Sequence, residues 1–286
     1  MILCAGEALI DMLPRRTAAG EEAFLPAVGG SVFNTAIAAA RLGAPAGLFT
    51  GLSTDLFGRR LEAALDASGV DHGLAARSAR PTTLAFVELS EGQAAYAFYD
   101  EGTAGRMLTV ADLPAALPPG AALFFGGISL VAEPCGTAYE ALCRGAAADH
   151  LVMLDPNIRA SFVSDEAEYR ARIGRMIAAA DIVKVSDEDL RWIAGPGDPT
   201  DLARAMLAAG PRLVCVTEGA KGVTAHTAGG HLAVPGRRVT VVDTVGAGDT
   251  FNAGLLAGLH RAGALDRAGF AALDEDDLAE ALALGV

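Results

Sequence analysis

Six short runs in this chain are apolar on consecutive residues, and helix-patterned segments separate most of them. The runs are ILCAGEALI (2–10), AGLFTGL (46–52), ALFFGG (122–127), LVMLDPN (151–157), DIVKVS (181–186) and RLVCVTEG (212–219). A strand turns successive side chains to opposite faces, so a run without polar alternation predicts a strand buried on both sides. Helical patterns occupy 31–43, 56–69, 135–148, 168–180 and 201–210. Parallel neighbours need a crossover, usually a helix, and the alternation supplies one each time. The prediction is an α/β domain with a mostly parallel sheet covered by helices. At 286 residues the chain suits one such domain with an appendage and can bury a substantial core.

Two stretches break the rhythm. Residues 82–99, TTLAFVELSEGQAAYAFY, read as two strands joined by a turn at Ser90–Gln93, and residues 12–28 read as extended. An antiparallel flap inserted in a parallel domain is a candidate lid over a site; a plain hairpin is the alternative. Residues 222–230 and 231–237 read as an antiparallel pair at the sheet edge.

The net charge of −13 disfavours nucleic acid and anionic membranes as partners, since both want a basic face. No apolar run approaches the roughly 18–20 residues that cross a membrane. The start, MILCAGEALIDML, has no basic segment and reads as a strand rather than a leader. Cys4, Cys135, Cys143 and Cys215 form no CxxC pair and show no zinc spacing. Buried free thiols in a reducing cytoplasm are expected.

In open α/β sheets, ligands bind beyond the carboxyl ends of the strands. Asp11 follows the first run, and Asp155, Asn157 and Arg159 follow LVML. Lys184, Ser186, Asp187, Glu188 and Asp189 close DIVKVS, and Thr217, Glu218 and Gly219 follow RLVCV. Each cluster alone is readable as turn or cap chemistry. Four at one sheet edge predict a site.

The stretch VVDTVGAGDTFNAGLLAGL (241–259) is the most informative. Phe251, Leu255 and Leu259 recur at i, i+4 and i+8, which predicts a helix with one buried face. Gly246, Ala247 and Gly248 precede it. Bare backbone at a helix start is an anion site, because its N–H groups lack partners and carry partial positive charge. Yet Asp249 stands at its mouth. Phosphoryl transfer to an alcohol needs both features: donors for the moving phosphoryl group, and a base for the attacking hydroxyl. The N–H groups of Ala247, Gly248 and Asp249 supply the first and the Asp249 carboxylate the second. The helix end is expected to keep that carboxylate ionised at neutral pH. An N-cap aspartate after a glycine turn is the alternative reading of the same residues.

DTVGAGDTFNAGLLAG (243–258) resembles the C-terminal signature of the ribokinase-like (PfkB) carbohydrate kinases, and VGGSVFNTAIAAARLGAPAGLFTGLSTDLFG (28–58) resembles their N-terminal signature. The two motifs lie in the family's order, and the resemblance covers nearly the whole chain, flap included. It implies a ribokinase-like three-layer domain over residues 1–286 with a small antiparallel β lid from about 12–28 and 82–105. It implies ATP-dependent phosphorylation of a sugar hydroxymethyl group with Mg2+, and a bound K+ in many members. Asp249 is then the catalytic base, and Gly246, Ala247 and Gly248 form the anion hole. Asp11, Gly29, Gly30 and Asn34 bind the sugar with Phe98 of the lid, and Arg159 lies near the phosphates or sugar. Lys184, Ser186, Thr217, Gly219, Gly222 and Asn252 line the nucleotide site with Gly246 and Gly248. Asp243 and Thr244 stand where the monovalent cation is held, and Asp189 reaches Mg2+ through water. A cytoplasmic homodimer formed through the lid is also implied.

Two departures stand out. The family's Asn-x-x-Glu motif reads Ser186-Asp187-Glu188-Asp189 here, which leaves open the metal roles of these four; water-mediated contact is compatible, since Mg2+ keeps much of its water. The sequence ends LAEALALGV where relatives usually continue with an Ala-rich helix, so the expectation is either a more open purine pocket or a sequence that stops short of the natural C-terminus.

Within the family, AAYAFYDEGTAGRML (94–108), LDPNIRASF (154–162) and VKVSDEDL (183–190) most resemble bacterial fructokinases, which implies fructose as acceptor. Tyr96, Phe98 and Tyr99 offer apolar cover for its carbon faces. 2-Keto-3-deoxygluconate is the alternative; its carboxylate wants a cation, either Arg106 or Arg159, and another family sugar or nucleoside remains open. A Rossmann dehydrogenase is disfavoured because the first run leads into GEALID rather than GxGxxG, and a P-loop kinase because no GxxxxGK[ST] occurs. A non-catalytic sugar-binding protein on the same fold is disfavoured by the presence of Asp249.

Overall fold

The computed structural model describes residues 1–90, 93–237 and 246–286. The turn expected at residues 91–92 and the cation residues Asp243 and Thr244 lie outside the described residues, as do the side chains of residues 87–96.

The chain opens with β1 (Ile2–Ala5), β2 (Leu9–Arg16), β3 (Glu22–Gly29), α1 (Ser31–Arg41), β4 (Ala46–Phe49), β5 (Gly51–Ser53) and α2 (Leu56–Ser68). It continues with β6 (Ala76–Ser78), β7 (Leu84–Ser90), β8 (Gln93–Tyr99), β9 (Ala122–Gly126), α3 (Cys135–Ala146), β10 (Val152–Asp155) and α4 (Glu166–Ala179). Then come β11 (Ile182–Ser186), α5 (Asp187–Ala194), α6 (Pro199–Leu207), β12 (Leu213–Thr217), β13 (Gly222–Thr227) and β14 (Gly230–Pro235). The chain closes with α7 (Ala247–Arg261), α8 (Arg267–Ala272) and α9 (Glu275–Gly285).

The central sheet has eight strands in the order β14-β13-β12-β11-β10-β9-β1-β4. It is parallel from β12 to β4, and β13 and β14 add the expected antiparallel edge. Alternate residues of one strand enter different cores. Ile2, Cys4, Phe124, Met153, Ile182 and Cys215 pack with side chains of α1, α2, α7 and α9. Leu3, Ala5, Leu123, Phe125, Leu154, Val183 and Val214 pack with α3, α4, α5 and α6. That is the predicted three-layer arrangement, and it is why the strands show no polar alternation.

Two of the six runs are each two strands. ILCAGEALI breaks after Ala5: β1 stays in the central sheet, and the chain leaves through Gly6 to begin β2 elsewhere. A side chain at Gly6 would meet Val32 Cγ2 at 2.5 Å, so the exit hugs α1. AGLFTGL splits likewise into β4 and β5 at Thr50. Asp11 therefore stands on β2, not at the end of a central strand.

The flap is a four-stranded sheet, β3-β2-β7-β8. Its β2–β3 and β7–β8 pairings are antiparallel as expected, but β2 and β7 run parallel because each enters the flap from the same end of the domain. Phe24, Leu25 and Tyr99 of the flap are exposed large side chains, and Phe86 sits edge-on to both Phe24 and Tyr99.

Helix α7 corrects the expectation of one buried face: Phe251 to Leu259 are all buried. Helix α9 covers the side that the pattern left polar-neutral. Any side chain on Gly254 or Gly258 would overlap the α9 backbone at Gly285 or Ala281, so this crossing needs hydrogen at both positions. All four cysteines are buried and unbonded, and burial pushes their thiols upward. Among the described residues, no helix is long and apolar enough to cross a membrane.

Candidate active site

Helix α7 starts at a left-handed residue, Gly246 (φ 79°), and no side chain caps it. Its first N–H groups are thus left for something outside the helix, as expected for an anion site. Asp249 lies in that first turn and is 8% exposed. Its Oδ2 accepts a hydrogen bond from Asn34 Nδ2 at 2.9 Å, and its carbonyl accepts from Thr35 Oγ1 at 3.3 Å. Two residues 215 apart in sequence are thereby joined.

A cavity of about 350 Å³ opens in front of this carboxylate. Asp11, Gly30, Asn34, Phe98, Arg159, Gly246, Gly248 and Asp249, all expected at the site, line it together. Gly29 does not line it but makes room for it: a side chain there would overlap the Asp11 carboxylate. Phe98 packs against Phe162 with ring centroids 4.8 Å apart. Arg159 is held by Asn157, whose Oδ1 accepts from its Nη1 at 2.8 Å. Ala247 is exposed at the helix start.

Beneath the helix start lies a buried cluster. Lys184 Nζ donates to Asp155 Oδ2 at 3.0 Å, and Asn252 Nδ2 donates to the same oxygen at 2.7 Å. A side chain on Gly248 would meet Lys184 Nζ at 3.1 Å, so the ammonium adjoins the anion hole. Asn252 is fully buried and bonded to Asp155. Gly222 has a packing role of its own. It is buried with φ 100°, and a side chain would overlap the β14 backbone, so its smallness serves strand pairing. Thr217 ends β12 half-buried, and Gly219 (φ 55°) is exposed two residues beyond it.

Ser186 caps α5, accepting from Asp189 N at 3.0 Å, so the helix-start reading of that motif holds. Asp189 is buried and accepts from Ile158 N at 3.2 Å. Burial, then the neighbouring Asp155 charge, raises its pKa. Among the described residues, no three His, Cys, Asp or Glu side chains are grouped to hold a metal ion.

Asp249 stays mostly ionised at neutral pH, but with less margin than an exposed aspartate. Burial outweighs the Asn34 hydrogen bond and pushes its carboxyl up to about 6. Burial does the same to Asp11, also to about 6. Carboxyls raised this way favour the folded state below their ordinary 3.8, and that contribution is lost as pH rises through about 6. The site thus holds two carboxylates at neutral pH against the preference of the fold.

Glu7 was not singled out by the sequence reading. It lines the same cavity, with Oε1 accepting from Ser31 N at 3.0 Å and from Ser31 Oγ at 2.6 Å. The available signal was an acid inside the otherwise apolar ILCAGEALI. Arg106, by contrast, does not line this cavity. It donates to Asp100 Oδ1 at 2.9 Å and faces a separate cavity of about 890 Å³ on the far side of Phe98.

A three-layer α/β domain, a β flap, and a carboxylate set in an uncapped helix start define a carbohydrate kinase. Residues 1–286 match the model of the pfkB family carbohydrate kinases, and the chain belongs to that family. It is 54% identical over 278 residues to a fructokinase of Rhizobium leguminosarum bv. trifolii, covering 97% of this chain and 85% of that one. A fructokinase with bound ATP from Xylella fastidiosa superposes with a TM-score of 0.90 at 29% identity, covering 98% of this chain and 88% of the other. A double mutant of Vibrio cholerae fructokinase, in a form with fructose, ADP and potassium ion bound, gives 0.87 at 27% identity, covering 99% and 89%.

Proposed function

We propose that residues 1–286 act as one kinase domain that moves the γ-phosphoryl group of ATP onto a hydroxymethyl oxygen of fructose. The observation that carries this reading is Asp249, buried at an uncapped helix start, held by Asn34 and facing a cavity of small-ligand size. Asp249 orients the sugar hydroxyl and takes its proton as the oxygen attacks the γ-phosphorus, and the bond to ADP breaks. The N–H groups at Gly246, Ala247 and Gly248, with Lys184 behind them, hold the charge on the moving phosphoryl group. Asp11, Gly30 and Asn34 grip the sugar, Phe98 covers it, and Arg159 steadies the phosphates.

Mg2+ would come in on the nucleotide, held by phosphates and water rather than caged by protein, with Asp189 as the carboxylate that would meet its water shell. When bound, Mg2+ neutralises charge on the phosphates. A monovalent cation such as K+ would be held by Asp243 and Thr244, which lie outside the described residues. Thr217, Ser186 and Gly219 border the nucleotide.

Fructose is favoured over 2-keto-3-deoxygluconate by the charges in the cavity. Glu7, Asp11 and Asp249 line it, and among the described residues Arg159 is the one cation that does. A neutral polyol donates hydrogen bonds to carboxylates, whereas an acid would be repelled by three of them. The test is ADP release measured across fructose, 2-keto-3-deoxygluconate, ribose, glucose and nucleosides. Fructose is expected to give the highest kcat/KM; a higher value for the keto acid, lost selectively in Arg159→Ala, would overturn the choice.

The exposed Phe24, Leu25 and Tyr99 support a homodimer joined through the lid, and the buried free thiols support a cytoplasmic setting. Light scattering is expected to report a dimer, and Tyr99→Glu to give a monomer. A wild-type monomer at micromolar concentration would sink the dimer.

A further inference from the structure

We propose that Glu7 is a positioning residue of the sugar pocket: it caps α1 from outside the helix and so holds Asn34 against Asp249. This rests on the kinase reading of the site. Helix α1 begins after Gly30, which has no side chain with which to cap it. Its first N–H groups therefore need acceptors from elsewhere. Glu7 supplies two of them. Its Oε1 accepts from Ser31 N at 3.0 Å, and its carbonyl accepts from Phe33 N at 3.3 Å. The same Oε1 accepts from Ser31 Oγ, and Oε2 accepts from Ser129 N at 3.3 Å. A carboxylate suits this place because a helix N-terminus is electropositive.

The surroundings are cut to fit it. Gly30 (φ 105°) could carry no side chain without meeting the Glu7 carbonyl at 2.9 Å. At Gly127 (φ 71°) a side chain would overlap both carboxylate oxygens. Glu7, 8% exposed, thereby ties the β1–β2 turn, α1 and the loop after β9, all of which border the cavity. Asn34 stands one helical turn beyond Ser31, on the same side of α1, and donates to Asp249. A helix free to fray or shift at Ser31 would carry that amide away from the carboxylate.

Glu7 also faces the base electrically. Among the described residues, Glu7 and Asp155 favour the protonated form of Asp249, while the Asn34 hydrogen bond and Lys184 favour the ionised form. Asp11 and Arg159 share the cavity. Removing the Glu7 charge alone makes Asp249 a weaker base.

The experiment compares Glu7→Gln and Glu7→Ala with wild type, using the sugar that wild type turns over best. In Glu7→Gln the KM for sugar is expected to rise severalfold with KM for ATP unchanged, and the acidic limb of kcat to move to lower pH. A purely structural residue would not move that limb. In substrate-free Glu7→Ala, hydrogen exchange at Ser31 is expected to quicken severalfold while β10 amides stay protected. Glu7→Gln with unchanged sugar KM and limb, or with equal losses for both substrates, overturns the proposal even if Glu7→Ala fails to fold. If wild type turns over no sugar, the kinase reading fails instead, and the exchange comparison still decides whether Glu7 caps α1.

Discussion

Asp249→Asn is expected to lower kcat by about 10²–10⁴-fold, the usual worth of a positioned base, while leaving sugar and ATP affinity within a few-fold. The substitution keeps the shape of the side chain. Its amide oxygen can still accept from Asn34 Nδ2, now at 2.9 Å from Oδ2, so the helix start should not shift. What it removes is the site that takes the proton. It also removes a buried charge that the fold holds at a cost. Because burial raises this carboxyl to about 6, the ionised form is the disfavoured one in the folded state. The variant's melting temperature at pH 7 should accordingly be no lower than wild type's. A large loss of activity separates a catalytic base from a helix cap, since asparagine caps a helix about as well as aspartate and would keep that role. The same carboxyl sets the pH response. Turnover needs it ionised, so activity should fall as pH drops through about 6 rather than through the ordinary 3.8. Asp11 titrates in the same range, and Asp11→Asn should leave a limb that belongs to Asp249 alone. If Asp249→Asn keeps a tenth or more of kcat, as judged against about 10²-fold for the weakest such bases, the residue is a cap only.

The central domain was legible because its strands advertise themselves. Phe124 and Phe125 are neighbours that enter different cores, and only a strand covered on both faces can use two such residues in succession. The catalytic stretch was legible for a related reason: glycines before a carboxylate at a helix start make a local anion site, and local chemistry is written in consecutive residues. What was not legible depended on distant partners. Glu7 looks like a flaw in an apolar strand until Ser31 and Ser129, 24 and 122 residues away, are brought to it. The raised Asp249 carboxyl depends on how deeply the fold buries it, which spacing does not report. The bond of Asn252 to Asp155 and the contact of Gly222 with β14 likewise join residues far apart in sequence or set by strand pairing. The all-round burial of α7 required α9, whose contact runs through Gly254 and Gly258, residues that a hydrophobicity pattern scores as neutral.

Lys184→Met is expected to be the most destabilising single change at the site. The ammonium and its partner Asp155 are both nearly inaccessible, at 4% and 1% exposure, and lie 3.0 Å apart. Removing one member of a buried pair strands the other, which costs about 3–5 kcal/mol. For a chain of this size that corresponds to a fall in Tm of roughly 6–20 °C. Asn252 would still donate to Asp155, but a neutral amide does not offset a buried charge. The functional effect is separable from this one. Lys184 adjoins the N-terminus of α7 from beneath, so two positive ends lie together there, with Asp155 holding the ammonium in place. That arrangement favours an incoming phosphate more than an empty site, and its loss should raise KM for ATP and lower kcat together. The double variant Lys184→Met/Asp155→Asn decides between the two roles. It removes both charges, so the stranded carboxylate disappears and most of the lost Tm should return. Activity should not return, because the cation is still missing from the anion hole. Thermal melting and steady-state kinetics on the wild type, the single variant and the double variant measure both. Recovery of activity along with stability would reduce Lys184 to a structural ion pair and leave the phosphoryl group to the backbone of α7 alone.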